Sequence, residues 1–181
     1  VMVDGVDVRE SDLNSLRKLF AVVLQDVYLF SGTIMDNLSL NGTVTEEQVI
    51  RATKLINAHD IIEKLPEGYG TRVDELGSNF SAGERQLLAF ARALAIDPEV
   101  LVLDEATSNV DLETEAKLQA GLKTLMKDRT AIIVAHRLST VREVDRIVVL
   151  KHGHLVEEGN HAALMNQDGL YARLARFQFG H

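Results

Sequence analysis

Apolar positions along this chain fall into two patterns. Short unbroken apolar runs, each ending in polar residues, alternate with longer stretches of helical period. Phe20-Ala21-Val22-Val23-Leu24, Val100-Leu101-Val102-Leu103 and Ala131-Ile132-Ile133-Val134-Ala135 are of the first kind, and each predicts a buried strand. Ile147 through Leu150 predicts a further strand. With Leu155 through Glu158 across a turn at Gly153, it predicts a hairpin. Residues 1–3 and 6–8 bracket Asp4-Gly5, a tight-turn signal. Thr45-Glu46-Glu47-Gln48 has capping-box spacing, so a helix follows to about Asn57. A second, short helix is expected over 60–65, broken by Pro66-Glu67-Gly68-Tyr69-Gly70. Ser81 opens another helix that runs toward Asp97-Pro98. Residues 111–127 and 170–177 predict two more.

Strands alternating with helices predict an α/β fold, with a parallel sheet covered on both faces. The stretch 45–69 is helical throughout and sits between two strands, so it reads as an inserted subdomain. No internal repeat or low-complexity linker interrupts the pattern.

Composition narrows the function classes. The 181 residues allow one domain with a sizeable core. A net charge of −8 argues against a nucleic-acid partner, whose phosphates need a basic surface, but leaves room for a nucleotide at a local site. The chain has no Cys, which excludes disulfides and Cys-ligated metals. No apolar run approaches the roughly 20 residues of a membrane span, and the best candidate, 87–96, is interrupted by Arg92. No signal peptide is visible, and the first residue is Val1 rather than Met. A piece of a longer protein is the expectation.

Four places could carry chemistry. Ser81-Ala82-Gly83-Glu84 is a capping box, and a plain helix cap accounts for it when it is taken alone. Gly83 in the first turn is costly for a helix, yet it lets a phosphate approach backbone amides that are ready to bind an anion. Asp104-Glu105 emerges at the carboxyl end of a buried strand, the sheet edge where ligands bind in open α/β folds. Successive strand side chains point to opposite faces, so the two acids take different jobs. Asp104 would fix Mg²⁺, directly or through water, and Glu105 would act as general base on the attacking water. An acidic loop start after a strand is the bland account. His136 and Gln25 end their strands in the same way, and each alone reads as an ordinary loop or partly buried residue. Together, three strands ending in Gln25, Asp104-Glu105 and His136, behind a Ser-Ala-Gly helix start, form a combination that unrelated structural causes would rarely produce.

In that combination the sequence resembles the nucleotide-binding domain of ATP-binding-cassette (ABC) transporters, over almost the whole chain. Phe80-Ser81-Ala82-Gly83-Glu84 is similar to the ABC signature, commonly Leu-Ser-Gly-Gly-Gln, and Leu101-Val102-Leu103-Asp104-Glu105 to the Walker B strand with its catalytic glutamate. Ser108-Asn109-Val110-Asp111 resembles the D-loop, His136 the switch histidine and Gln25 the Q-loop glutamine. Gln25 through Ile34, Val73-Asp74-Glu75-Leu76-Gly77 and Glu158-Gly159-Asn160-His161 resemble the exporter branch. The resemblance implies a P-loop NTPase (RecA-like) parallel sheet flanked by helices, with an inserted α-helical ABC subdomain. It implies one partial ATPase domain over 1–181: residues 1–44 and 98–181 as catalytic core, and 45–97 as helical subdomain with the signature.

The implied site follows from the same motifs. Glu105 and His136 are catalytic. Gln25, Ser81, Ala82, Gly83, Glu84 and Asp111 contact nucleotide. Asp104 and Gln25 hold Mg²⁺, and ATP is the substrate. Two such domains, identical or different, dimerise head to tail around ATP. Their closure drives a transmembrane domain from the cytoplasmic face of the membrane, as the motor of an exporter. A non-hydrolysing or regulatory ABC-type nucleotide-binding module is the alternative. Phe80, Ala82 and Glu84 depart from the common signature, adding a methyl group and negative charge near the phosphate. No Gly-Lys dipeptide occurs, so the phosphate loop G-x-x-x-x-G-K-[ST] is absent. The family carries that loop upstream of the segment that begins near Val1, on a strand of the sheet interior. An incomplete sheet with exposed apolar surface, marginal stability and little Mg-ATP affinity are therefore expected of this chain alone.

Overall fold

The chain opens with a hairpin in which β1 (Met2–Val3) and β2 (Val6–Asp7) pair antiparallel. Asp4 and Gly5 both have positive φ, at 48° and 80°, which is the turn geometry whose twist matches a two-residue hairpin. Asp12 then caps α1 (Leu13–Lys18), accepting from the Ser15 amide at 2.8 Å. The structure is a computed structural model and describes residues 1–104, 112–135 and 138–179. It divides into two units, Val1–Val134 and Ala135–His181, which are described in turn.

In the first unit, β3 (Phe20–Val23) leads through a loop to β4 (Gly32–Thr33) and α2 (Ile34–Leu38). The capping box at Thr45 forms as the sequence predicts and starts α3 (Glu46–Leu55). Next come α4 (His59–Glu63) and β5 (Arg72–Val73), which pairs antiparallel with β4. The long helix α5 (Ala82–Ala95) is followed by β6 (Val100–Asp104), α6 (Leu112–Met126) and β7 (Thr130–Val134). Helices α1 and α2 are too short to leave a periodic signature, and the sequence reading does not anticipate them.

Strands β3, β6 and β7 form a parallel sheet in that order, with Val22, Val102 and Ile132 in one row and Leu103 opposite both Val23 and Ile133. Ala21, Val23, Leu101 and Leu103 are buried in one core with α5 and with Leu118, Leu122 and Leu125 of α6. Gly121 of α6 lies close to Phe90 and Ile56, which brings α6 onto α5 and α3.

The expectation of a sheet covered on both faces is corrected. Val22, Ile132 and Val134 remain 56%, 56% and 52% exposed, and Leu24 just past β3 is also exposed. An apolar run marks a strand that is suited to two covered faces, but it does not supply the second layer. Within the first unit, α5 and α6 pack on the face that carries Ala21, Val23, Leu101 and Leu103. Among the described residues the parallel sheet has the three strands β3, β6 and β7, with β6 in the middle.

The second unit begins with α7 (Leu138–Val141), followed by β8 (Ile147–Lys151) and β9 (His154–Gly159) in the predicted hairpin. His152 and Gly153 make its turn, and His152 and His154 are both exposed. Then come α8 (His161–Asn166) and α9 (Leu170–Phe179). Ile147, Leu164, Tyr171 and Ala175 form the small core of this unit. The Glu157 carboxylate accepts from the amides of Leu170 and Tyr171, capping α9 from the hairpin.

Candidate functional site

The parallel register decides which polar residues meet. Val23 lies opposite Leu103, and Asp104 lies opposite Val134. Gln25 follows two residues after Val23, so it reaches the same carboxyl edge as Asp104, one residue further on. Gln25 is exposed and Asp104 is half-buried. Asp104 shares its sheet face with Val102, two residues back, and with its neighbour Val134, because alternate strand residues share a face. Alternation thus aligns Asp104 with the open face, while at the strand end it also borders a small cavity under α5. Glu105, Asp111 and His136 lie outside the described residues. The carboxyl edge is described through Gln25, Asp104 and Ala135.

Carboxylate and carboxamide oxygens are hard donors, and Mg²⁺ is commonly held by one or two carboxylates with the rest of its shell from water and phosphate. Asp104 and Gln25 fit that sparse donor set. Among the described residues, no group of three or more His, Cys, Asp or Glu converges as a dedicated metal cage would require.

The second polar locus is the start of α5. Ser81 Oγ accepts from the Glu84 amide at 3.2 Å, and Glu84 Oε2 accepts from the Ser81 amide at 2.8 Å. The capping account of this tetrad is thus correct, and it removes two amides from any ligand. The amides of Ala82 and Gly83 take no partner among the described residues. They are the unsatisfied donors at the positive end of a 14-residue helix, where an anion is favoured. Ser81 and Ala82 are exposed, whereas Phe80 is buried and lines a small apolar cavity with Ile34, Ala58, Ile62 and Leu87. The bulkier Phe80 is therefore seated in the core and does not crowd the anion side.

No direct contact between the two loci is found among the described residues. Gln86 and Phe90 of α5 line a small cavity with Leu103 and Asp104. A helix rises about 1.5 Å per residue, so Ser81 lies on the order of 7 Å further along the axis than Gln86. No hydrogen bond or ion pair among the described residues joins Ser81, Ala82, Gly83 or Glu84 to Gln25 or Asp104.

Several positioning contacts carry no sequence motif. Arg92, nearly three turns into α5, donates to the Tyr28 carbonyl at 3.0 Å and so ties the helix to the loop after Gln25. Burial lowers the Arg92 pKa from its ordinary value, as expected for a guanidinium drawn out of water. Asn37 is buried and brackets Phe30, accepting from its amide and donating to its carbonyl, both at 2.8 Å. Asn79 donates to the Arg72 carbonyl and accepts from the Asp74 amide, clasping β5 just before the signature. Arg92 alone has a sequence signal, a charge within an otherwise apolar stretch, whereas Asn37 and Asn79 sit among polar neighbours and carry none. The loops so held leave Tyr28, Phe30 and Leu76 exposed at 54%, 66% and 57%.

The family model described as "ABC transporter" matches residues 1–108. The chain is 49% identical over 180 residues to the ABC transporter ATP-binding protein YknV of Bacillus subtilis, covering 99% of this chain and 30% of that protein. It is 47% identical over 182 residues to the ATP-dependent lipid A-core flippase of Pseudoalteromonas atlantica, covering 99% and 31%. Among solved structures, a bacterial Atm1-family ABC exporter with ATP bound superposes with a TM-score of 0.88 at 39% identity, over 98% of this chain and 31% of that one. The chain thus spans about 30% of the length of the curated relatives it matches.

Proposed function

Because the chain belongs to the ABC transporter family, we propose that it is part of the ATP-hydrolysing motor domain of a membrane exporter. One observation carries the reading. The carboxyl-edge residues Gln25 and Asp104 and the anion-ready start of α5 belong to one unit but share no hydrogen bond or ion pair among the described residues. That separation suits a nucleotide held between two domains, on the strand edge of one and the helix start of the other. In such a head-to-tail dimer, Ser81 and the amides of Ala82 and Gly83 face the phosphates of a nucleotide bound mainly by the partner domain. Glu84, engaged as a cap, contributes by holding Ser81 in place. The partner domain is a second ABC nucleotide-binding domain, identical or different.

Residues 1–44 and 98–181 then act as catalytic core and 45–97 as helical subdomain. Asp104 and Gln25 would hold Mg²⁺, which supplies charge neutralisation on the phosphates. Glu105 orients the attacking water and accepts its proton, His136 donates to the terminal phosphate, and Asp111 connects the two halves of the dimer. The exposed Tyr28, Phe30 and Leu76 offer an apolar surface to a transmembrane domain. Among the described residues, no helix is long and apolar enough to cross a membrane. A position at the cytoplasmic face, attached to a separate membrane-spanning part, follows from this reading.

The test is Mg-ATP turnover by the protein extended upstream through a phosphate loop, with and without Glu105→Gln. Turnover that the substitution abolishes supports a hydrolytic motor with Glu105 as base. Binding of ATP without turnover in the unsubstituted protein favours the non-hydrolysing, regulatory module and refutes the motor.

A further inference from the structure

We propose that Arg85 is a positioning residue for the start of α5, acting through a tight three-way contact with Gly77 and Leu29. The inference rests on the reading above, in that the group it positions is the phosphate-facing Ser81 turn.

The Phe80 peptide immediately precedes Ser81 and is held at both ends. Its N–H donates to the Gly77 carbonyl at 2.9 Å. Its carbonyl accepts from Arg85 Nη1 at 2.6 Å, a charge-assisted bond stronger than a neutral one. The stem of Arg85 crosses Gly77 on the way. A Cβ at Gly77 would lie 3.0 Å from Arg85 Cδ and 2.8 Å from Leu29 Cδ1. Gly77 is buried and has a φ of +68°, so both space and backbone conformation demand glycine there. Leu29 is 2% exposed and belongs to the loop that follows Gln25. That loop is pinned to α5 a second time by Arg92 at Tyr28. A displacement of the Gln25 loop is therefore passed through packed atoms to Phe80 and Ser81. The direction in which the free amides of Ala82 and Gly83 point depends on where Arg85 holds the preceding carbonyl.

The experiment uses the full-length protein that carries this chain. Arg85→Met keeps the stem over Gly77 and removes the donor, whereas Arg85→Lys keeps a cationic donor. The readouts are KM and kcat for Mg-ATP, and amide hydrogen exchange along α5. Arg85→Met is expected to raise KM by about 5-fold or more with kcat within about 2-fold. It is also expected to speed exchange at residues 80–84 by about 10-fold while leaving 89–95 unchanged. Arg85→Lys should restore both readouts to near wild type. Gly77→Ala should act in the same direction as Arg85→Met, and adding Leu29→Ala should recover part of the loss. Three results overturn the proposal: unchanged exchange at 80–84 in Arg85→Met, equal effects of Met and Lys, or faster exchange along the whole helix. A wild-type protein that never hydrolyses ATP refutes the motor reading instead, and the exchange comparison then decides the role of Arg85 by itself.

Discussion

The open sheet face makes a prediction that depends on length of chain. Leu101 is 0% exposed on the covered face, and Ile132 in the neighbouring strand is 56% exposed on the open one. Truncating either to Ala removes about three methylene equivalents, at about 0.8 kcal/mol each when fully buried. Leu101→Ala adds a cavity between β6 and α5, so its cost should be about 3 kcal/mol, within the range of about 2–5 kcal/mol for buried Leu. Ile132 is a little under half buried and leaves no enclosed void, so Ile132→Ala should cost only about 1 kcal/mol in the 181-residue chain. In the same protein extended upstream through the phosphate loop, a helix following that loop is expected to cover the open face, and the cost of Ile132→Ala should then rise to about 2–3 kcal/mol. Leu101→Ala should stay where it was. Urea unfolding followed by circular dichroism reads both, with the m-value showing that the unfolding transition itself has not changed. The reasoning is refuted if Ile132→Ala costs as much as Leu101→Ala in the short chain, or if its cost is the same in both lengths.

Two further predictions concern the helical region. Thr53 Oγ1 donates to the Ile50 carbonyl, so it must accept from Tyr69, whose oxygen is left to accept from His59 Nδ1. Tyr69→Phe breaks both of its bonds and leaves the fully buried Thr53 short of a donor, so it should cost about 1–3 kcal/mol in urea unfolding; a loss under about 0.5 kcal/mol would contradict this chain of bonds. The Thr33 hydroxyl and amide both donate to Asp36, and these bonds lower the Asp36 pKa from its usual 3.8. Because the folded state favours the carboxylate, the stabilisation is complete above pH 3.8 and drains away as the pH falls through the lower folded value. An NMR titration should place the Asp36 midpoint below 3.8 and return it toward 3.8 in Thr33→Val, which removes the hydroxyl donor.

The strands and their polar ends were legible because both depend on local chemistry. An unbroken apolar run ended by Asp104 or Gln25 predicts a strand and its polar terminus wherever the strand is placed. The boxes at Thr45 and Ser81 were equally legible, since a cap is a contact between residues three apart. The sequence also shows that no Gly-Lys dipeptide occurs, so none of its own turns is a phosphate loop of the G-x-x-x-x-G-K-[ST] kind. It overestimated the covering of the sheet, because Val22 and Leu101 look alike as letters although only one of them meets a helix.

What the tertiary structure alone decided is relative position. The register that brings Gln25 level with the end of β6 is a property of paired strands. So is the placement of Asp104 on the open face. Where Ser81 stands relative to that edge depends on how α5 packs on the sheet, across contacts far apart in the chain. Arg92 reaches a carbonyl 64 residues earlier, and Arg85 threads past a glycine that Leu29 closes from the other side. No periodicity encodes such contacts, because they exist only once separate elements have been packed against one another. The sequence by itself determined which groups are available and which elements bear them; packing decided which of them face one another.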